Sequence, residues 1–561
     1  MIRRIPVAVI ILLGILLYLP TLRTGFLTDD FLDCNHTLRE VPAAFSAQYG
    51  GGYRPLIILS WALDNSIWGV ENQTGWHATN LFLLSVASFL VFVFISQFIK
   101  KAVAVYAGTA LFMFSYPMAV AVARVSWRTT ILALIPFLLS IIIVSIWSRN
   151  SKGKWMPFAA AFLYLVSLLI KETTVAALPV MVLVAYCSAP DIARLRKAVW
   201  AFAIALIPLL VYGLLRYRAM GFGVNYADSS SFGFFMAKNL ILQNAIVWQP
   251  WLSGVSARVL LLLYPIAIYF GVPKWKNRLL VFVTGAFLML PVSNLTLRPD
   301  FSVAALPGAA LFLGFLIERI HGKRLLYPVL FIFFAGIILF SRDEIKTLKL
   351  ASSYVERTTI RLAEIAEELP GNGPLFVNGV DNAVGVYGTF WPGEYMVPMQ
   401  CLGIHPDRFV TGTNRIWEGL TTENDPGFLA FMADDGVQYT SVQISADMYS
   451  ELPDTTVLLS GSIPAGRLIQ YPSCVGPYES GSLLLISPML QDSVLTVSPE
   501  FRDGFAYYDL AAVPLWLAAN EATVIITEKP TELTFSSKNI SLDAALNTLA
   551  SKAEQNSMET I

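Results

Sequence analysis

Eleven long apolar runs occupy most of the first 341 residues, and they constrain the fold more than any other feature of this sequence. The first run ends near Leu22, and the others lie near 80–99, 102–121, 129–147, 155–170, 173–189, 198–215, 256–272, 279–296, 303–320 and 325–341. A helix of about 20 apolar residues crosses the roughly 30 Å hydrocarbon core of a bilayer. The runs therefore predict a polytopic α-helical membrane protein with about eleven transmembrane helices.

The charged residues divide the chain into two parts. Residues 1–341 contain 27 Lys/Arg and 11 Asp/Glu, whereas residues 342–561 contain 12 and 28. From Arg342 onward the long apolar runs end, and short β-like runs alternate with turns rich in Gly, Pro and Asp. We therefore predict a transmembrane domain over residues 1–341 and a soluble, mixed α/β domain over residues 342–561.

The distribution of Lys and Arg predicts which side of the membrane each connection faces, because cytoplasmic connections carry an excess of these residues. With a cytoplasmic N-terminus, the cytoplasmic connections are all short and basic. They are Lys100-Lys101, Arg149/Lys152/Lys154, Arg194/Arg196/Lys197, Lys274/Lys276/Arg278 and Lys323/Arg324. Eleven spans then place the C-terminal domain on the exoplasmic side. Since topology accounts for most of these cations, they give no reason to expect a nucleic-acid partner.

An acidic stretch follows directly on the first apolar run, at the edge of the bilayer. It reads Phe26-Leu27-Thr28-Asp29-Asp30-Phe31-Leu32-Asp33. Carboxylates kept close to hydrocarbon usually have a function. A solvated acidic loop explains this segment equally well when the segment is considered alone.

Other ionisable residues lie near the exoplasmic ends of the predicted spans, whereas the middles of the spans are almost free of charge. The whole group is Asp29, Asp30, Arg54, His77, Arg124, Arg128, Lys171, Glu172, Arg216, Arg218, Arg298 and Asp300. Transporters coupled to ions or protons keep acids near the middle of the membrane. The distribution therefore favours an active site in the outer leaflet.

Carboxylates and cations at a membrane edge suit one reaction well, the transfer of a glycosyl group from a lipid phosphate to an acceptor hydroxyl. A carboxylate accepts the hydroxyl proton, which contributes about 10²–10⁴-fold in rate. Cations stabilise the charge on the departing phosphate. Arginine is suited to that role because its planar guanidinium binds two phosphate oxygens at once.

The motifs in residues 1–320 resemble those of GT-C-fold glycosyltransferases that use polyprenyl-phosphate sugars. Asp29-Asp30 is similar to the acidic motif that follows the first span in those enzymes. Three further motifs resemble the protein O-mannosyltransferase-like and TMTC-like branch: Tyr53-Arg54-Pro55-Leu56, Trp68-Gly69 and His77-Ala78-Thr79-Asn80-Leu81. Later landmarks of that branch are similar to Trp127-Arg128, Lys171-Glu172-Thr173 and Leu290-Pro291-Val292-Ser293-Asn294.

Two departures from that branch stand out. Where the branch carries Glu-Arg-Tyr, this chain reads Leu297-Arg298-Pro299-Asp300-Phe301. TMTC-like proteins also end in tetratricopeptide repeats, but residues 342–561 show no 34-residue helical period.

The resemblance implies a role for each matching residue. Asp29 is the general base, supported by two further catalytic acids, Asp30 and Glu172. The donor phosphate is bound by a set of basic residues: Arg54, His77, Arg128, Lys171 and Arg298. Each of these residues also has a structural interpretation, as a polar loop residue, a helix-end anchor or the boundary of a span.

We therefore predict an inverting, mannosyltransferase-like glycosyltransferase of the hexosyltransferase type, with a polyprenyl-phosphate sugar as donor. The acceptor is a protein, a lipid or a glycan, and both it and the sugar remain open. The alternatives are a flippase for lipid-linked glycans and a non-catalytic membrane scaffold whose acidic domain binds a partner. No cofactor is required, although adjacent aspartates allow a divalent metal ion. We expect the protein in a bacterial inner membrane.

Overall fold

The computed structural model divides the chain into two compact units, Met1–Leu350 and Ala351–Ile561. It describes residues 5–49, 52–150, 153–221, 240, 244, 246–251, 264–286, 299–320 and 323–368, and then short segments between 375 and 530. The described part of the first unit is helical, and most described segments of the second unit are strands.

The helices up to residue 150 are α1 (Ile5–Tyr18), α2 (Asp29–Asp33), α3 (Val41–Ala44), α4 (Pro55–Trp68), α5 (Gln73–Ser96), α6 (Ala102–Phe114), α7 (Tyr116–Ala123) and α8 (Arg128–Asn150). Those that follow are α9 (Met156–Ile170), α10 (Leu178–Ser188), α11 (Arg194–Met220), α12 (Tyr264–Gly271), α13 (Trp275–Ala286), α14 (Pro299–Ser302), α15 (Leu306–Arg319) and α16 (Lys323–Glu368). Short 3₁₀ helices occupy Leu19–Arg23, Glu172–Ala177, Asp191–Ala193 and Val303–Ala305.

Several helices have the length and composition of membrane spans, so this is an integral membrane protein. Within the described residues five qualify: Gln73–Ser96, Arg128–Asn150, Asp191–Met220, Pro299–Arg319 and Arg324–Glu367. The bent pair α6 and α7 makes a sixth if it is counted as one span, and three apolar helices are shorter: Val7–Arg23, Met156–Ile170 and Glu172–Ser188. The predicted spans 256–272 and 279–296 are only partly described, so the count of eleven stays a prediction.

The bend between α6 and α7 has a local cause. Ser115 has an extended backbone (φ −63°, ψ 151°), and Pro117 lies in the first turn of α7. Proline fits there because the first N–H groups of a helix have no partner within the helix. The two helices consequently meet at an angle of 45°.

Small residues allow the helices of the first unit to pack closely. A Cβ atom on Gly108 of α6 would lie 2.6 Å from the carbonyl oxygen of Ala310 on α15, so only glycine permits this approach. Tyr18 of α1 donates a hydrogen bond of 2.8 Å to the carbonyl of Met113 on α6. Close packing of small residues is the usual way in which membrane helices associate.

The second unit contains helix α17 (Met396–Cys401) and thirteen described strands. They are β1 (Leu375–Asn378), β2 (Ala383–Val384), β3 (Tyr387–Gly388), β4 (Val410–Gly412), β5 (Gly427–Ala433), β6 (Gly436–Val442), β7 (Thr455–Ser462), β8 (Leu468–Pro472), β9 (Tyr478–Ile486), β10 (Leu495–Val497), β11 (Glu500–Arg502), β12 (Phe505–Asp509) and β13 (Glu521–Pro530).

The strands pair in both directions. In the sheet β4-β1-β5-β6, β1 runs parallel to β4 and β5, and β6 runs antiparallel to β5. The sheet β10-β9-β13-β7 and the sheet β11-β12-β8 are antiparallel. The predicted terminal helix at 541–555 lies outside the described residues. The mixed α/β class and exoplasmic location of residues 342–561 stay predictions.

Candidate functional site

The acidic stretch forms a tight turn and then the short helix α2. Thr28, just before this helix, has φ 38° and ψ −109°, a conformation that is strained for a β-branched residue. Arg124 holds the turn, because its Nη2 donates to the Thr28 hydroxyl and, at 3.1 Å, to the Leu27 carbonyl. An arginine of a distant segment thus fixes the start of the acidic helix.

Asp30 stabilises this turn through hydrogen bonds. Its side chain is buried, and its carboxylate accepts hydrogen bonds from the backbone N–H groups of Leu27 (3.2 Å) and Ser126 (2.7 Å). The second bond joins the first loop to the segment between α7 and α8. Asp30 therefore has a structural task that the sequence did not reveal.

Asp29 lies in a different environment from the acid beside it. Its side chain is 38% exposed, and its Oδ2 lies 3.9 Å from Nη2 of Arg124. Within the part of the chain that the structure describes, its carboxylate accepts no hydrogen bond. By contrast, hydrogen bonds engage the carboxylates of Asp30, Asp33, Asp64 and Glu172. The carboxylate of Asp29 is therefore the one in this group that no described residue engages by a hydrogen bond.

Asp33 lies one helical turn after Asp29, on the same side of α2. It is buried, and the hydroxyl of Tyr49 donates a hydrogen bond to its Oδ1. Burial raises the pKa of the Asp33 carboxyl well above its usual value, and the Tyr49 bond offsets only part of that change. Asp33 was visible as the third acid of the stretch but was not predicted as a site residue.

Arg54 and Glu172 form a two-point ion pair between the first loop and the turn before α10. Arg54 Nε lies 2.5 Å from one carboxylate oxygen of Glu172, and Nη2 donates to the other. Gly52 lies directly against this pair, since an added Cβ would be 2.7 Å from Arg54 Nε and 2.9 Å from Glu172 Oε1. The predicted phosphate ligand and the predicted catalytic acid therefore bind each other.

Arg128 is completely buried rather than open to the site. Its Nη1 donates to the carboxylate of Asp64, and its Nη2 lies 3.4 Å from the carbonyl of Trp76. The hydroxyl of Thr79 donates a 3.0 Å bond to the other oxygen of Asp64. This arrangement joins α4, α5 and α8. The charge of Arg128, which was predicted to bind phosphate, is paired with Asp64 instead.

Two further residues that were predicted to bind the donor phosphate, Lys171 and His77, are also buried. Lys171 Nζ donates to the hydroxyl of Thr130 at 2.5 Å and lies 5.4 Å from the ring centroid of Phe301. His77 Nε2 lies 3.3 Å from the hydroxyl of Thr24, and its buried Nδ1 has no partner among the described residues. Arg298, like the motif at 290–294, lies outside the described residues.

Arg124 is the main residue of the site that sequence reasoning left out of the predicted set. It lies between two acids, with Nη2 3.9 Å from Asp29 and Nε 3.9 Å from Asp30, and it covers the ring of Trp127 at 4.5 Å. Asn80 fixes its backbone by donating a 3.0 Å bond to the Arg124 carbonyl. Its place among the cations predicted to be exoplasmic was the only signal in the sequence.

These charged groups belong to one neighbourhood, although they come from separate segments. Asp33 interacts electrostatically with Asp29, Asp30 and Arg124. Glu172 interacts with both Arg54 and Lys171, and Tyr49 with Asp29 and Arg54. Among the described residues, no group of three or more His, Cys, Asp and Glu side chains has the geometry to hold a metal ion.

Comparison with known proteins gives a distant likeness to solved structures. No family model matches the chain, and no curated protein matches it. ArnT from Cupriavidus metallidurans is 11% identical over 76% of this chain and 93% of ArnT, with TM-scores of 0.47 in the apo state and 0.46 bound to undecaprenyl phosphate. Arabinosyltransferase EmbB from Mycobacterium smegmatis is 11% identical over 94% of this chain and 63% of EmbB, with a TM-score of 0.31. These values do not assign the chain to a family.

Proposed function

We propose that this protein is a GT-C-like, inverting glycosyltransferase that uses a polyprenyl-phosphate sugar at the exoplasmic face of the membrane. One observation carries the proposal. Asp29 is a partly exposed carboxylate that accepts no hydrogen bond from the described residues, and it lies 3.9 Å from the guanidinium of Arg124, which the Leu27 carbonyl holds in place. The other carboxylates of this neighbourhood hold the loops together. Asp29 is therefore the acid that we assign as the general base.

In the proposed reaction Asp29 accepts the proton of the acceptor hydroxyl. The hydroxyl oxygen attacks the anomeric carbon of the donor sugar, and the bond from that carbon to the phosphate oxygen breaks on the opposite face. The polyprenyl phosphate leaves with the bonding electron pair, and the anomeric configuration is inverted. A well-placed general base contributes about 10²–10⁴-fold to such a step.

The cations take two different roles in this proposal. Arg124 and Lys171 stabilise the leaving phosphate, because they belong to the same neighbourhood as Asp29 and Glu172. Arg54 and Arg128 are positioning residues, since Glu172 and Asp64 already bind them. Arg298 remains a proposed phosphate ligand. His77 is a third positioning residue, because it contacts Thr24 shortly before the acidic stretch.

The flippase alternative requires a polar path through the membrane, and the described spans give it no support. The segments 80–99, 129–147 and 303–317 contain no ionisable residue. The scaffold alternative predicts that the protein transfers no sugar. The same experiment therefore separates it from the enzyme.

The test uses the full-length protein reconstituted in lipid, with radiolabelled sugars carried on undecaprenyl phosphate and a membrane extract as the source of acceptor. We chose this carrier because ArnT was crystallised with undecaprenyl phosphate. The wild type is compared with Asp29→Asn, which keeps the size of the side chain but removes the base. The matched control is Asp343→Asn, at an exposed carboxylate of α16 that pairs with Lys346.

We expect Asp29→Asn to lower the transfer rate by about 10²–10⁴-fold while binding of undecaprenyl phosphate is retained. Asp343→Asn should transfer at the wild-type rate. Normal transfer by Asp29→Asn would exclude Asp29 as the base. A wild type that transfers none of a broad panel of sugars would refute the glycosyltransferase and leave the scaffold.

A further inference from the structure

A basic notch lies where α10 ends and where α11 and α13 begin, and it is separate from the proposed active site. The ring of Tyr186 near the end of α10 packs against Trp275 at 5.8 Å. The guanidinium of Arg194, the first residue of α11, lies 5.9 Å from the same tyrosine ring. Cys187 Sγ also donates a 3.4 Å hydrogen bond to the carbonyl of Lys276. These contacts hold the three helix ends together.

Positive charge predominates in this notch. Lys276 lies within electrostatic reach of Arg194 and Lys274, and the acid that faces them is Asp191. Asp191 is 80% exposed and pairs with Nη2 of Arg194, whose Nε is buried and has no hydrogen-bond partner among the described residues. The ammonium groups of Lys274 and Lys276 likewise form no ion pair or hydrogen bond within the described part of the chain. The notch therefore presents two lysine ammonium groups that the described residues leave without a hydrogen bond or an ion pair.

Large apolar side chains that flank these cations in the sequence are exposed. Ile192 and Leu195 lie on either side of Arg194, at 104% and 73% exposure, and Trp275 beside Lys276 is 60% exposed. Exposed aromatic and aliphatic side chains next to Lys and Arg are typical of the headgroup region of a bilayer. A ligand of this notch therefore presents an anion on one side and acyl chains on the other.

We propose that the notch formed by Arg194, Lys274 and Lys276 binds the phosphate of an anionic phospholipid. Basic pockets between transmembrane helices bind such headgroups, and each Lys or Arg contributes to the attraction. Arg194 holds the phosphate through its guanidinium, and Lys276 provides the second positive charge. Ile192, Leu195 and Trp275 contact the acyl chains. The proposal does not depend on the glycosyltransferase reaction.

The test measures lipid binding to the full-length protein by native mass spectrometry, with titration of cardiolipin, phosphatidylglycerol or phosphatidylcholine. The double variant Arg194→Gln/Lys276→Gln removes the two central cations. The control Lys100→Gln/Lys154→Gln removes the same charge from two other basic turns, where both side chains are exposed.

We expect the wild type to retain both anionic lipids more strongly than phosphatidylcholine, and the Arg194/Lys276 double variant to bind them about thirtyfold more weakly. The control should change binding by less than about threefold. Equal loss in both double variants, or no preference for anionic lipid, would overturn the proposal.

Two further arms separate a lipid site from damage to the fold or from an ion site. Asp191→Asn removes the acid that competes for Arg194, so it should strengthen binding by about fivefold, a gain that misfolding does not produce. Millimolar inorganic phosphate should displace little cardiolipin, because it cannot use the apolar rim. Full displacement by phosphate, or unchanged binding in Asp191→Asn, would contradict the lipid site.

Discussion

Replacing Asp64 with asparagine should strongly destabilise the protein, because the change leaves the charge of Arg128 buried and without its ion-pair partner. Arg128 has 0% exposure and Asp64 has 4%. Among the described residues, the guanidinium otherwise hydrogen-bonds only to backbone carbonyls, those of Val125 at 3.3 Å and Trp76 at 3.4 Å, and it lies 5.5 Å from the ring centroid of Trp76. Breaking a buried ion pair by removing one partner typically costs about 3–5 kcal/mol. Asparagine keeps the volume and can still accept the Thr79 bond, so the loss reports the charge.

The double variant Asp64→Leu/Arg128→Met tests the same pair without leaving a lone charge. Replacing a buried ion pair with apolar side chains of similar volume is often neutral, or stabilising by about 1–4 kcal/mol. We therefore expect the double variant to recover most of the stability that Asp64→Asn loses. The measurement is thermal unfolding of the purified protein, followed by tryptophan fluorescence under one detergent condition.

Asp343→Asn provides the matched control, because Asp343 pairs with Lys346 at 2.7 Å but is 68% exposed. Exposed ion pairs contribute about 0–1 kcal/mol, so this variant should unfold close to the wild type. If Asp64→Asn is no less stable than Asp343→Asn, Arg128 does not depend on Asp64. The original interpretation of Arg128 as a phosphate ligand would then be preferred.

Two further predictions concern the first loop. Gly52→Ala should separate Arg54 from Glu172, because its Cβ would lie less than 3.0 Å from both side chains. We therefore expect a raised KM for the lipid donor in the transfer assay. An unchanged KM would contradict the positioning role of Arg54. Because the pKa of Asp33 is raised, the folded protein is more stable with this carboxyl protonated than with it ionised. This contribution to the free energy of unfolding is fully present below about pH 4, and it is lost as pH rises through the raised pKa. Thermal midpoints measured from pH 4 to 8 should show this loss of stability. Tyr49→Phe should shift the loss to higher pH, and Asp33→Asn should abolish it. A loss that persists in Asp33→Asn would refute its assignment to Asp33.

The sequence predicted the membrane helices well, because the period and length of an apolar run are local properties. Run 129–147 lies on α8 and run 303–320 on two consecutive helical segments, with ends within a few residues, whereas α5 begins seven residues before run 80–99. The broken pair α6 and α7 was predicted as one run, since the effect of Pro117 on direction depends on how the neighbouring helices pack.

The partners of the charged residues could not be predicted, because they are far apart in the chain. Arg54 and Glu172 are 118 positions apart, and Asp64 and Arg128 are 64 apart. The sequence predicts that these groups lie near the exoplasmic ends of spans, but it does not indicate which acid faces which cation. Consequently two residues expected at the phosphate, Arg54 and Arg128, are bound by acids of the chain itself.

The most direct test of the central claim is an experimental structure of the protein with bound undecaprenyl phosphate in a lipid nanodisc. We predict that the phosphate lies within hydrogen-bonding distance of Arg124 or Lys171, on the side of α2 where Asp29 is exposed. A phosphate bound elsewhere, with the Asp29 carboxylate facing away from it, would contradict the proposed site.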